Sequence, residues 1–198
     1  MSLPGTLETR QRVRNGRRRE GQIADALKQQ HGLNLVEPTD HEDKIRKIDR
    51  WLVDGTSRTA VQIKYRESGD DLLVEVFDRW DGWNGPRNKI GRDVQGDSKL
   101  YAVLRTDRQT VVLTSAAVLK GIVNEMVEAA KTIGWTVDNG PSSKTLRYFK
   151  AGGRCELKVQ TDPYDGRTKM VAYIPANVLI FENQAKTYKV RLPKEWQD

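Results

Sequence analysis

Cysteine, histidine and long apolar runs are nearly missing from this 198-residue chain, and each scarcity removes a class of explanation. Cys155 is the one cysteine, so an internal disulfide and a zinc cluster of thiolates are excluded and a reducing, intracellular setting is expected. His31 and His41 are too few for a histidine-rich metal centre. No run of about eighteen apolar residues occurs, and no apolar segment ending in a small-residue cleavage site opens the chain. A soluble, cytoplasmic protein with no membrane partner is therefore expected. The glycines form no G-x-x-x-x-G-K-[ST] loop, which argues against a nucleotide triphosphatase. Ser115 and Ser142 lack the companion motifs of a serine hydrolase.

Positive charge is what the chain has in excess. Lys and Arg number 34 against 27 acids, a formal charge of +7, which favours a polyanionic partner. The length suits one domain with a sizeable core.

From about Arg10 to Gln30 there is no proline, and Ile23, Ala24 and Leu27 fall on one stripe, so an N-terminal amphipathic helix is predicted, ended by His31-Gly32. Arg10, Arg14, Arg17 and Arg18 share a face of it, while Glu20 lies on the stripe of Ala24 and Leu27, where it either pairs at the edge or has a function. Ile45 to Val53, Thr59 to Tyr65 and Leu72 to Phe77 read as an antiparallel meander, with turns at Asp54-Gly55 and Ser68-Gly69-Asp70. A short helix near Ile90 to Gln95, strands at Leu100 to Leu104 and Thr110 to Leu113, and a helix capped by Thr114 or Ser115 and ended by Gly134 follow. Thr145 to Phe149, Glu156 to Thr161, Met170 to Ile174 and Thr187 to Leu192 are strand-like.

Within KIDRWLVDGTSRTAVQIKYR, from Lys47 to Arg66, Asp49 stands thirteen positions before the alternating triplet Gln62-Ile63-Lys64. Strand residues two apart share a face, so Gln62 and Lys64 project together toward a partner strand carrying Asp49. An acid, an amide oxygen and an ammonium then converge, a set suited to Mg²⁺ and a phosphodiester. The competing explanation is the wet face of an ordinary antiparallel strand, with Lys64 paired to Asp49 at the surface.

This order of elements, with Asp49 on one strand and Gln62-Ile63-Lys64 on the next, resembles the PD-(D/E)XK nuclease superfamily over roughly residues 10 to 135. The resemblance implies an α/β fold, a central mixed β-sheet flanked by helices (restriction-endonuclease-like), with residues 1–135 as the nuclease-like core; residues 136–198 have no counterpart in it, and their turns and aromatic residues suggest a β-rich C-terminal extension packed on that core. It implies a Mg²⁺-dependent deoxyribonuclease, with Mn²⁺ able to substitute, that hydrolyses DNA by metal-activated water. Glu20, Asp49, Gln62 and Lys64 would be the catalytic set, and Asp49, Gln62, the Ile63 carbonyl and Glu20 the metal ligands. Ile48 replaces the proline of the family name, and Gln62 replaces a carboxylate. That second change removes a negative charge from the metal site, so Glu20 must contribute or the metal is held weakly. The alternative is a nuclease-fold nucleic-acid-binding protein that has lost turnover. Lys64→Ala is expected to nearly abolish cleavage and leave the fold intact.

Arg10, Arg14, Arg17 and Arg18 are candidate phosphate contacts. Trp80 and Trp83 either stack on bases or pack over the sheet. Arg92 and Gln95 lie where the superfamily often places a polar residue facing the site. Asp40, His41, Glu42 and Asp43 form either a solvated loop or outer support for the site. The aromatic residues of 136–198 suit substrate selection or a homodimer. RNA remains open as a substrate, and the source would suit a phage or another mobile element.

Overall fold

The order of elements is α1 (Gly5–His31), β1 (Leu35–Val36), β2 (Arg50–Asp54), β3 (Ser57–Tyr65), β4 (Asp71–Arg79), β5 (Lys89–Ile90), α2 (Arg92–Gln95), β6 (Leu100–Leu104), β7 (Thr110–Ser115), α3 (Ala116–Thr132), β8 (Lys144–Lys150), β9 (Gly153–Thr161), β10 (Thr168–Pro175), α4 (Ala176–Asn183) and β11 (Lys186–Lys189). This computed structural model describes residues 5–43, 48–65, 71–85, 89–105, 107, 109–133, 144–161, 166–183, 185–193 and 196, without the side chains of 5–14, 92, 144 and 183. The fold is mixed α/β. No helix among the described residues is long and apolar enough to cross a membrane.

Two sheets share the strands. One is six-stranded in the order β1-β2-β3-β6-β7-β11, the other five-stranded in the order β5-β4-β10-β9-β8. In the first, β3 runs antiparallel to β2 and parallel to β6, so that sheet is mixed. The β2–β3 hairpin turns at Gly55, whose φ of 58° glycine adopts without strain.

The predicted meander is corrected at its third strand: β4 leaves β3 and pairs with β10 and β5 in the second sheet. Burial explains the exchange. Tyr101, Ala102, Val103 and Leu104 are all buried, so β6 is apolar on both faces and suits the sheet interior beside β3. β4 instead alternates buried Leu72, Val74 and Val76 with half-buried Leu73, Glu75 and Phe77, the pattern of a strand with one covered face.

Each face of the six-stranded sheet has its own core. On one, Ile23, Ala24 and Leu27 of α1 pack on Val61, Ile63, Ala102 and Leu104. On the other, Tyr101, Val103 and Val112 meet α3, α4 and the inner side of the five-stranded sheet. Strands from 144 onward complete both sheets, since β10 lies between β4 and β9 while β11 closes the far edge beside β7. Ser115 is the N-cap of α3, its Oγ accepting from the Ala117 amide at 3.1 Å; Gly134 lies outside the described residues. Helix α4 is not foreseen in the sequence, where ANVLIFEN reads as a short apolar run without helical period. Burial pushes the Cys155 thiol up to about 11, so it is no nucleophile near neutrality.

Lys150 ties three elements together: its ammonium lies 2.6 Å from Glu125 of α3 and 3.4 Å from Glu182 of α4. The bond to Lys150 holds Glu125 below its ordinary 4.5, and the same bond raises Lys150 above 10.5. The carboxylate's contribution is present above 4.5 and lost as pH falls through its lowered folded value; that of the lysine is present below 10.5 and lost above its raised one. Lys150→Met should therefore flatten the acid limb of stability, by on the order of 0.5–1 kcal/mol for this partly exposed pair. Thermal melts between pH 3 and 7 check this, and superimposable acid limbs for the two proteins would refute it.

Candidate active site

Alternation along β3 sorts its side chains. Val61 and Ile63 face α1, so Gln62 and Lys64 face the other side, toward α2 and the five-stranded sheet. Asp49 stands just before β2 and finishes the hairpin. Its amide donates to the Val61 carbonyl at 3.2 Å, and its Oδ2 accepts from the Ile63 amide at 2.8 Å. The carboxylate thus takes the place that the next backbone carbonyl of β2 would hold. N–H and C=O of one strand residue point to the same edge, so the Ile63 carbonyl also points to the edge where Asp49 sits. Arg50 donates to the Asp49 carbonyl at 2.6 Å and brings a positive charge close by.

Gln62 is 3% exposed. Its Nε2 donates to Asp49 Oδ2 at 2.7 Å, and its Oε1 accepts from Ser98 Oγ at 3.4 Å. Facing a carboxylate oxygen, the amide must present its N–H. A cation beside Asp49 reverses that preference, and Ser98 serves either orientation because a hydroxyl both donates and accepts.

Lys64 is paired with Asp93, not with Asp49 as the surface-strand reading has it. The ammonium lies 2.9 Å from Asp93 Oδ1, with side-chain exposures of 21% and 5%. Oδ1 has no aligned hydrogen bond among the described residues, so its contact with Lys64 is charge to charge. Oδ2 accepts from the Glu75 amide at 2.9 Å, and the Asp93 carbonyl accepts from Tyr101 Oη at 2.9 Å. Gly91 brings α2 onto β4: its amide donates to the Val76 carbonyl at 2.8 Å, and a Cβ there would sit 2.0 Å from the Glu75 carbonyl oxygen. Asp93 is therefore fixed by its backbone as well as by its carboxylate.

Glu20 is half-buried on α1, the helix packed on the Ile63 side of β3. That helix covers the face of the sheet opposite Gln62 and Lys64, and Asp49 stands at its rim, just before β2. Neighbouring α1 residues do reach that edge, where a Cβ on Gly21 would lie 3.4 Å from Arg50 Nη2. Arg17, on the same helix, pairs with Asp43 at 2.6 Å, and Arg18 is exposed; the side chains of Arg10 and Arg14 lie outside the described residues. Arg19 stacks on Tyr65 and Trp196, 5.5 and 5.1 Å from the ring centres. Residues 39–43 form a capped turn, with the Thr39 amide and hydroxyl donating to Glu42 and the Glu42 amide to Thr39 Oγ1.

Of the two alternatives for the tryptophans, packing holds for Trp80. Trp80 is 4% exposed and packs in the inter-sheet core, so it offers no face to a base. Trp83 lies edge-on to it at 4.6 Å, half-buried under Lys131. Of the residues expected on α2, Gln95 is exposed and the Arg92 side chain lies outside the described residues.

Scans against protein-family models, curated proteins and solved structures found no match to this chain.

Sequence reasoning missed Asp93 and Ser98. Arg92, Asp93 and Gln95 all occur in one short polar segment, and nothing in their spacing says which turns inward. The one available signal was Gly91, a glycine just ahead of a helix, where a close backbone approach fixes the helix's orientation.

Proposed function

We propose that this chain is a Mg²⁺-dependent nuclease of the PD-(D/E)XK type, with a restriction-endonuclease-like arrangement of its core, that hydrolyses DNA phosphodiester bonds. The observation that supports the reading is the convergence of the Asp49 carboxylate and the Gln62 amide at the edge to which the Ile63 carbonyl points, with Lys64 on the same face of β3 as Gln62. Hard oxygens at one edge suit Mg²⁺, which keeps several waters and needs few protein ligands. When bound, Mg²⁺, or Mn²⁺ in its place, would polarise a phosphate oxygen and lower the pKa of a water. Asp49 and the Ile63 carbonyl would hold the ion, Gln62 would turn its amide oxygen inward, and Glu20 would contribute from the far side of the edge. Lys64 would orient the attacking water or offset charge developing on the phosphate. The arginine face of α1 and the net positive charge favour a nucleic-acid partner; the excess alone does not separate DNA from RNA.

The test is incubation with linear, circular, branched and single-stranded DNA in Mg²⁺, Mn²⁺ or EDTA. Cleavage should require the metal and fall by about 10²- to 10³-fold in Asp49→Ala. Cutting that survives Asp49→Ala would place the activity elsewhere. One observation favours the second reading, a nuclease-fold DNA-binding protein without turnover: Gln62 turns its N–H, not its carbonyl oxygen, toward Asp49. Tight, salt-sensitive DNA binding with no cleavage of any substrate would establish that reading instead.

A further inference from the structure

We infer that Asp93 is the positioning residue of this site: it holds the Lys64 ammonium and cancels its charge, so that lysine and divalent cation can occupy one site. The inference deepens the nuclease reading and rests on it. With Gln62 uncharged, Asp49 and Lys64 sum to zero and Arg50 adds a positive charge close by, so a cation at Asp49 would meet a lysine on the next strand with no acid but Glu20 among the proposed ligands to offset the repulsion. Asp93 changes that balance. It is buried, its Oδ1 has no aligned hydrogen bond among the described residues, and it lies 2.9 Å from Lys64 Nζ. Its position is built in: Gly91 seats α2 on β4, the Glu75 amide holds Oδ2, and Tyr101 holds the Asp93 carbonyl. The negative charge that the 62 position lacks is thus present on the neighbouring helix, paired with Lys64.

Four proteins test this: wild type, Asp93→Asn, Lys64→Met and the double variant, each compared by Mn²⁺ titration calorimetry and by cleavage of linear duplex DNA. Asparagine keeps an oxygen for the Glu75 amide, while its uncharged NH2 replaces the oxygen that faces Lys64. Asp93→Asn should weaken Mn²⁺ binding and slow cleavage by about 10- to 100-fold, the usual effect of losing an outer partner of a metal site. In the double variant, where both charges are gone, Mn²⁺ affinity should return to near the wild-type value while cleavage stays lost with the lysine. A purely structural Asp93 would give equal weakening in both backgrounds, and that result overturns the inference. So does wild-type affinity in Asp93→Asn. Failure of the wild type itself to bind Mn²⁺ would instead overturn the nuclease reading, and the inference with it.

Discussion

Lys64→Met should destabilise the protein by about 2–4 kcal/mol, besides removing cleavage, and adding Asp93→Asn should restore most of that stability. The reason is the asymmetry of burial in the pair. Asp93 is the deeper partner, at 5% side-chain exposure against 21% for Lys64, so losing the lysine leaves a carboxylate in the core with one remaining hydrogen bond. Removing both charges leaves a neutral amide beside a methionine of similar length, and the larger penalty of a buried, unpaired charge disappears. Urea unfolding of the four proteins in the cycle measures the coupling directly, provided the denaturant slope is unchanged. A Lys64→Met protein as stable as wild type would show that the lysine does not hold the carboxylate. The sequence alone predicts the opposite, an intact fold after loss of Lys64, because it offers no buried partner for it.

Gly91→Ala should be the most damaging single-methyl change near the site. The added Cβ would lie 2.0 Å from the Glu75 carbonyl oxygen and 2.9 Å from the Val76 carbonyl carbon, both backbone atoms of a central pairing strand. β4 is held by β10 along its length, so α2 must move instead. That movement lifts Asp93 away from Lys64 and breaks the Gly91 to Val76 hydrogen bond. Overpacking of this kind costs about 1–3 kcal/mol and sometimes more. Gly121→Ala on α3, where nothing lies within 4 Å of the new methyl, is the control and should be neutral or stabilising by up to about 1 kcal/mol. Equal urea midpoints for the two variants would mean that α2 can shift at little cost.

What the sequence disclosed about this molecule was local. The long helices α1 and α3 follow from apolar stripes, and the β2–β3 hairpin follows from Asp54-Gly55 between two strand-like runs. The meeting of Asp49 with Gln62 was legible for the same reason, since a tight turn fixes register thirteen residues apart. Pairings made over longer distances were not. That β4 abandons β3 for β10, nearly a hundred residues later, depends on matching burial patterns that several strands share. Asp93 was hidden because its inward turn is set by a backbone contact of Gly91, not by any periodicity of its own. Trp80 was open in the sequence because tryptophan serves both cores and nucleic-acid surfaces, and the inter-sheet core claims it.

The late strands have a consequence for synthesis. As the chain leaves the ribosome, β4 waits for β10 and β7 waits for β11, while Trp196 returns to α1 and donates to Gln22. Neither sheet can be closed vectorially from the front. Until β10 and β11 emerge, β4 and β7 present unsatisfied strand edges, and folding driven by such distant pairings is slow. Its dependence on chaperones should therefore be set by the strands from β8 to β11 and not by the segment that carries Asp49 and Lys64.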